Sequence, residues 1–418
     1  MTDTVSRSAS SASPAGTAPD GGIRDVAIIG ARIVPVSADP FDGTIVLRDG
    51  RIAALGPDVE VPAGAETIDA RGAWVLPGFV DAHVHLGVHE EGNGWAGDDT
   101  NEMTDPVMAG VRALDAIDPA DQGFDDALRG GVTAVNVNPG SGNPIGGLAV
   151  AISTHGRVVD EMVLRSPAGL KAALGENPKR VYGEKKTTPS TRLGTALVIR
   201  RALTKARAWM DADDPDRTDL ESEALARVLR REIPWRQHSH RADDIATALR
   251  LAEEFDLDLV LDHGTESYKI ADLIAERGAP VLYGPLIITR TKVEARERTP
   301  RAPAILAEAG VEVSIITDHP VVPIDFLVHQ ASLAMKEGLA HDAALRAITI
   351  NPARVLGLDG ELGSLEVGKR ADVVLWEGDP LDTRNRALRA WVGGRDVMRY
   401  DEESREVRIA PRTITVGR

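Results

Sequence analysis

The segment PGFVDAHVHLG, Pro77 to Gly87, sets His83 and His85 two positions apart on an apolar, strand-like run beside Asp81. Side chains alternate along a strand, so both imidazoles face one side and can offer Nε2 to a single metal ion. Three more ionisable residues close later strand-like runs: His238 in QHSH, His263 in LVLDHG and Asp318 in VSIITDHP. His263 follows His238 by 25 positions and Asp318 follows His263 by 55, spans of about one and two strand-helix units with APVLYGP as the strand between. His240 lies two places beyond His238 on the same face, so either can be the ligand, the other reaching towards substrate or orienting a carboxylate. Imidazoles and a carboxylate gathered in this way suit a divalent metal ion.

Composition narrows the chemistry further. The 418 residues contain no cysteine, which excludes disulfides, thiolate catalysis, cysteine-bound zinc and iron–sulfur clusters, and leaves histidine, carboxylates and modified lysine as metal ligands. With 48 Lys and Arg against 64 Asp and Glu, the net charge of −16 repels nucleic acid and anionic membranes. No apolar run approaches the roughly 18 residues of a membrane helix. The expected partner is a small-molecule substrate, with no nucleic acid and no membrane, homo-oligomerisation left open, in the cytoplasm. Residues 1–22, rich in Ser, Ala, Thr, Pro and Gly, read as a disordered tail rather than a signal peptide.

The elements that must position these side chains follow from periodicity. Residues 23–73 and 359–418 alternate short β-branched runs with Gly, Asp and Pro turns, the texture of small β-units. Residues 74–358 alternate apolar runs (GFVDAHVHL, VTAVNVN, GLKAAL, LDLVLDHG, APVLYGP, VEVSIITDH) with amphipathic segments. One such helix follows His240, with Ile245, Ala248, Leu249 and Ala252 on one face and Asp243 and Asp244 at its positive end. About eight such units predict a (β/α)8 TIM-like barrel, the ionisable strand ends converging at its C-terminal mouth. The Gly-rich NPGSGNPIGG lacks a phosphate-loop ending and reads as a loop from strand to helix at that mouth. The acidic HEEGNGWAGDDTNE after the first strand reads as a solvated loop or a lid. The basic RTKVEARERTPRAP reads as a solvated loop whose arginines can meet a substrate carboxylate. His319 reads as a loop or supporting residue; His89, His155, His329 and His341 as structural or surface residues.

With VLPGFVDAHVHL ahead of the barrel, then ITINPARVLGL and LGSLEVGKRADVVLW, the chain resembles the amidohydrolase superfamily, particularly its imidazolonepropionase-like and prolidase-like branch. The resemblance spans almost everything after the tail and implies a barrel joined to a composite β-sandwich built from both ends of the chain. It also implies one or two divalent metal ions, zinc foremost, held by His83, His85, His238, His263 and Asp318, with Lys171 or Glu176 of AGLKAALGENPK as the bridging ligand. Lys171 stands in a context similar to the GLK motif of urease, where CO2 addition gives a carboxylated lysine; Glu176 would bridge directly, as in the branch resembling sugar deacetylases. Lys171 is the preferred bridge. The activity implied is hydrolysis of a C–N amide bond in a cyclic amide, N-acyl compound or small dipeptide, Asp318 serving as general base. Two alternatives stand beside it. A mononuclear cyclic deaminase of the same superfamily needs an acid shortly after the fifth-strand histidine, where this chain has Ser239, His240 and Arg241. A non-catalytic binding paralogue would have lost ligands that are all present here.

Overall fold

A computed structural model describes residues 19–212, 218–290 and 292–412. Most of the expected tail, residues 1–18, lies outside the described residues. The chain forms two sheets.

The first sheet joins the two ends of the chain. Strands β1 (Val26–Ile33), β2 (Phe41–Arg48), β3 (Arg51–Gly56), β4 (Glu66–Asp69) and β5 (Trp74–Pro77) come from the N-terminal part. The second sheet is built from β6 (Phe79–Val84), β7 (Val132–Val137), β8 (Ile145–Ser153), β9 (Val163–Ala173), β10 (Trp235–Ser239), β11 (Leu259–His263), β12 (Val281–Tyr283) and β13 (Val313–Ile315). Then β14 (Val373–Trp376), β15 (Ala387–Val392), β16 (Arg395–Asp401) and β17 (Glu406–Ile409) return to the first sheet, in the order β17-β16-β15-β14-β5-β1-β2-β3 with β4 on β1. Trp74–Pro77, counted with the barrel in the sequence-based division, is instead the strand on which the two ends meet, pairing with β1 and β14. Only Gly78 separates the sheets, and a Cβ there would lie 2.1 Å from Thr133 Oγ1; glycine lets the chain cross without a linker.

The second sheet runs in sequence order from β6 to β13 and is nearly closed. It departs from a strict (β/α)8 barrel at β8, which is antiparallel to both neighbours. The physical reason is length: seven residues separate β7 from β8 and nine separate β8 from β9, whereas a parallel crossover needs a dozen or more. NPGSGNPIGG is accordingly a hairpin connection running into β8, not a strand-to-helix loop. The excursion after β6 lies along this hairpin, Met108 N donating to Ile145 O and Leu148 N to Val111 O.

Small apolar side chains form an inner layer, Val80, Ala134, Ala151, Ala168, Val260, Leu282 and Ile316, nearly one from each strand. The helix Ala242–Phe255 buries Ile245, Ala248 and Leu249 as the periodicity predicts; Asp244 in its first turn is itself buried and paired with Arg192 at 2.9 Å. No helix among the described residues is long and apolar enough to cross a membrane.

Closure occurs at the mouth. Asp318 N donates to His83 O at 3.2 Å and His85 N to His319 O at 2.8 Å. Asp81, wholly buried, accepts from Thr317 Oγ1 at 2.6 Å, Thr317 N at 3.0 Å and His83 N at 3.1 Å. Asp81→Ala strands three buried donors at this seam, so stability to chemical denaturation is expected to fall by about 2–4 kcal/mol; a loss within roughly 0.5 kcal/mol would show that the seam does not depend on this carboxylate.

Candidate metal centre

Five imidazoles, two carboxylates and a lysine converge at this mouth. His83 lies on β6 and His85 just beyond it, Lys171 on β9, His238 on β10 and His263 at the end of β11. Asp318 lies three residues past β13. His240 follows β10, and Glu294 belongs to the short turn Val293–Ala295 after β12.

Lone-pair direction is set by what holds each ring. His85 Nδ1 is 2.8 Å from Asn138 O and His263 Nδ1 is 3.0 Å from Gly284 O. A carbonyl only accepts, so both Nδ1 atoms carry the proton and both Nε2 atoms keep a lone pair. His83 Nδ1 faces Asp262 Oδ2 at 3.0 Å, which leaves its Nε2 on the opposite side of the ring. Both His83 Nε2 and His85 Nε2 approach Asp318 Oδ1, at 3.4 and 3.3 Å. Ligand atoms of His83, His263 and Asp318 lie within 4.8 Å of one another, as do those of His238, His240 and Glu294. The His263 ring, in the first group, adjoins the second, its centroid 4.8 Å from that of His83 and 4.5 Å from that of His238.

Burial decides the protonation states. It pushes His263 down to about 3 and holds His238 and His240 well below the ordinary imidazole value, with the facing His263 ring adding to the shift of the latter two. These three rings are therefore neutral at physiological pH and able to ligate. Burial opposes ionisation of Asp318, but the imidazoles of His263, His83 and His85 that surround it outweigh that and hold the carboxyl well below the usual carboxylate range. Burial pushes Glu294 up to about 7, its hydrogen bond from Glu176 N working the other way.

Beneath the rings lies a charge cluster. Asp262, fully buried, pairs with Lys171 Nζ at 2.8 Å and Arg236 Nη2 at 3.1 Å. Lys171 Nζ also lies 3.3 Å from His83 Nε2. Burial would raise the Asp262 carboxyl, but Arg236, Lys171 and His83 together hold it well below its ordinary value. Burial likewise lowers Lys171, against the pull of Asp262.

Of the side chains expected from sequence, His83, His85, Lys171, His238, His240, His263 and Asp318 are brought together. Glu176 enters neither ligand group: it starts the helix Glu176–Glu184, and its backbone N–H donates to Glu294 Oε2 at 2.9 Å. His319 is buried beside the centre, 3.8 Å from Glu91. The basic segment, expected to be a solvated loop, carries Glu294 inward to only 3% exposure. Asp262 was also missed, because alternation predicts that adjacent residues of a strand face opposite ways. His263 has φ of 71°, a left-handed conformation that breaks the alternation and lets it and Asp262 both serve the interior.

The donors fit a divalent ion. Neither ring nitrogen of His238, nor His240 Nε2, nor Glu294 Oε1 has a hydrogen-bond partner among the described residues, although all are buried. A site of imidazole and carboxylate without thiolate suits zinc, manganese, iron or cobalt.

A family model, Amidohydrolase family, matches residues 74–407. Amidohydrolase tasK of Hapsidospora irregularis is 30% identical over 386 residues, covering 84% of this chain, which spans only 39% of that protein's length. The imidazolonepropionase of Acidiphilium cryptum is 29% identical over 384 residues, covering 84% of this chain and 90% of its own. The crystal structure of an amidohydrolase from Thermotoga maritima MSB8 matches with a TM-score of 0.87 at 44% identity, covering 90% of this chain and 100% of that one. A prolidase complexed with N-methylphosphonate-L-proline shares the fold with a TM-score of 0.59 at 20% identity, over 90% of this chain and 100% of its own. The matched span contains the converging side chains from His83 to Asp318 as well as the strands that carry them, and the chain belongs to the amidohydrolase family, a hydrolase family acting on carbon–nitrogen bonds.

Proposed function

We propose that the protein is a metal-dependent amidohydrolase that cleaves the C–N bond of a small cyclic amide, N-acyl compound or dipeptide. The observation that carries this reading is the shared aim of three rings: His85 and His263 are tied through Nδ1 to backbone carbonyls, His83 Nδ1 faces Asp262, and the Nε2 atoms of His83 and His85 face one oxygen of Asp318. His83, His85, His263 and Asp318 would hold a divalent cation, with zinc the expected metal, and His238 stands beside them. When bound, that ion supplies a water acidified towards neutrality and an electrophile for the carbonyl oxygen.

Asp318 is held ionised beneath the mouth and is the base of this reading. It takes the proton of the attacking water as oxygen bonds to the carbonyl carbon, then delivers it to the nitrogen as the C–N bond breaks, giving a carboxylic acid and an amine. His240, hydrogen-bonded through Nδ1 to Thr265 Oγ1 at 2.7 Å, presents Nε2 towards Glu294 rather than to Asp318. Lys171 is a buried amine with a depressed pKa, the state that adds CO2 and releases a proton to form a carbamate. Such a carboxylated Lys171 would bring an anionic ligand to the His83 side of the centre while Arg236 continues to neutralise Asp262.

Hydrolytic deamination is the second reading, and Glu294 is the observation that favours it. The three positions after His238 are Ser239, His240 and Arg241, none of them an acid, yet Glu294 Oε1 stands 3.8 Å from His240 Nε2. Assay of paired amide and amino-heterocycle substrates decides between the two, since only the second class releases ammonia from a ring carbon.

Three outcomes test the main reading. His83→Ala and His263→Ala are expected to lower bound metal measured by elemental analysis, and exhaustive chelation to abolish turnover; full activity without metal would sink the proposal. Asp318→Asn is expected to retain much of the metal and lose roughly 10²-fold or more in kcat, whereas wild-type turnover would remove Asp318 as base. Lys171→Ala is expected to lose metal and activity, with partial recovery on adding a short-chain carboxylic acid; loss of stability without any recovery would assign the lysine to the neutralisation of Asp262 alone.

A further inference from the structure

We propose that the substrate is a short zwitterionic amide, foremost a free dipeptide, whose ammonium lies against Glu91 at the edge of the mouth beside His319 and whose carboxylate lies against Lys292 at the edge beside His240. This rests on the amidohydrolase reading and narrows its substrate class. The two stretches that border the mouth carry opposite charge. Residues 89–102, after β6, contain Glu90, Glu91, Asp98, Asp99 and Glu102 and no Lys or Arg. Residues 290–301, after β12, contain Arg290, Lys292, Arg296, Arg298 and Arg301 against Glu294 and Glu297, a basic exception in a chain of net charge −16.

The acidic edge lacks a cation. Glu91 is half-buried, its Oε1 3.8 Å from Nε2 of His319, a fully buried ring with no hydrogen-bond partner on either nitrogen among the described residues. Asp121 fixes the backbone here by accepting from Gly87 N and Glu91 N, both at 3.0 Å. No Lys or Arg forms an ion pair with Glu91, Asp121 or Asp325 among the described residues. Burial, with Asp126, Asp121 and Asp325 adding their repulsion, raises the Glu91 carboxyl above its ordinary value. An ammonium placed here supplies both the missing positive charge and N–H donors.

The basic edge lacks an anion. At the ends of β9 to β12 a cavity of about 440 Å³ is lined by five cations, Lys179, Arg192, Arg241, Lys269 and Arg296, against three glutamates, Glu294 among them. Arg192, Arg241 and Lys269 are paired with Asp244, Asp243 and Glu266 at 2.9, 2.8 and 3.1 Å. The arginines expected to meet a carboxylate are turned elsewhere, Arg290 Nε to Arg296 O at 3.0 Å and Arg296 Nε to Glu297 at 3.5 Å. Lys179 and Lys292 form no ion pair among the described residues. Lys292 is half-buried at the start of the turn that carries Glu294, and its charge is felt by His238, His240 and Glu294. It is the cation placed to take a carboxylate that reaches the rings.

A molecule that satisfies both edges carries an ammonium and a carboxylate with the scissile amide between them. In a dipeptide the ammonium is on the acyl half and the carboxylate on the amine half, so opposed charges also fix its direction: the acyl half falls on the side of Asp318 and the leaving nitrogen on the side of His240. Hydrolysis consumes one water, breaks the C–N bond and gives two amino acids. A neutral cyclic amide satisfies neither edge, and an N-acyl amino acid only the basic one.

The test is a matched substrate panel for the full, metal-loaded chain: free dipeptides, the same dipeptides N-acetylated, the same dipeptides as C-terminal amides, and neutral cyclic amides, with products followed by mass spectrometry. The free dipeptides are expected to be cleaved with kcat/KM about tenfold or more above either blocked form. Lys292→Gln is expected to raise KM for a free dipeptide about tenfold more than for its C-terminal amide, and Glu91→Gln about tenfold more than for its N-acetyl form. Lys292→Arg, which keeps the charge, should restore most of the first loss, and circular dichroism shows that the variants are folded. Folded variants that change KM equally for free and blocked forms overturn the assignment of the two edges. Preference for cyclic amides or N-acetylated forms over free dipeptides overturns this substrate class and leaves the amidohydrolase reading standing, whereas no hydrolysis of any member of the panel overturns both.

Discussion

The centre of this molecule depends on a carboxylate that never meets water. Asp262 is completely buried, and its charge persists there because Lys171, Arg236 and His83 approach it from three other strands. Removing one partner from such a buried ion cluster typically costs about 3–5 kcal/mol, because the remaining charge is left uncompensated. The same contacts fix relative strand position. Arg236 is opposite Lys171 across β10 and β9 and also donates to Ala82 O at 2.7 Å, binding β6 from within the barrel. A slip of any one of these strands would separate the ions, so register and electrostatic balance are a single constraint.

The imidazole rings at the mouth stand directly on this cluster, and their geometry follows from it. His83 is turned by Asp262 so that Nε2 faces the mouth. His85 and His263 are turned the same way by carbonyls of neighbouring connections, Asn138 and Gly284. Asp318 and His263 both adopt left-handed backbone conformations, with φ of 55° and 71°, costly for residues other than glycine and maintained where surrounding contacts over-determine them. For Asp318 those contacts are the seam that closes the barrel, where its own N–H donates to His83 O, Thr317 before it donates to the Asp81 side chain and His319 O after it accepts from His85 N. Closure of the fold and presentation of the carboxylate are therefore the same event.

The loops around the mouth are fastened as well. Tyr182, on the helix Glu176–Glu184, donates to Asp105 O at 2.7 Å and accepts from Asn143 Nδ2 at 3.0 Å, linking that helix to the excursion after β6 and to the β7–β8 hairpin. Arg192 joins Asp244 at 2.9 Å and approaches Glu294 at 3.5 Å, tying the turn that carries Glu294 to the helix after β10. Acidic and glycine-rich stretches that look like free loops in one dimension thus form a braced rim, consistent with side chains that must keep fixed positions.

Much of this was legible in the chain itself. Period-two alternation placed His83 with His85 and His238 with His240, period-3.6 spacing located the buried face of Ala242–Phe255, and the absence of cysteine confined the ligands to imidazole, carboxylate and modified lysine. These are local properties, set by backbone geometry and residue chemistry, and a single sequence contains them. Three features were decided only in the folded molecule. The antiparallel β8 follows from connections too short to cross back, a matter of how strand ends meet in space. Asp262 became an interior ion because the positive φ at His263 breaks the alternation on which the sequence reading relied. Glu294 reached His240 from 54 positions away because a short turn after β12 folds over the mouth. Residue types and their periods determine which atoms can do chemistry; which of them face the same point depends on long-range closure and on backbone angles that periodicity does not encode.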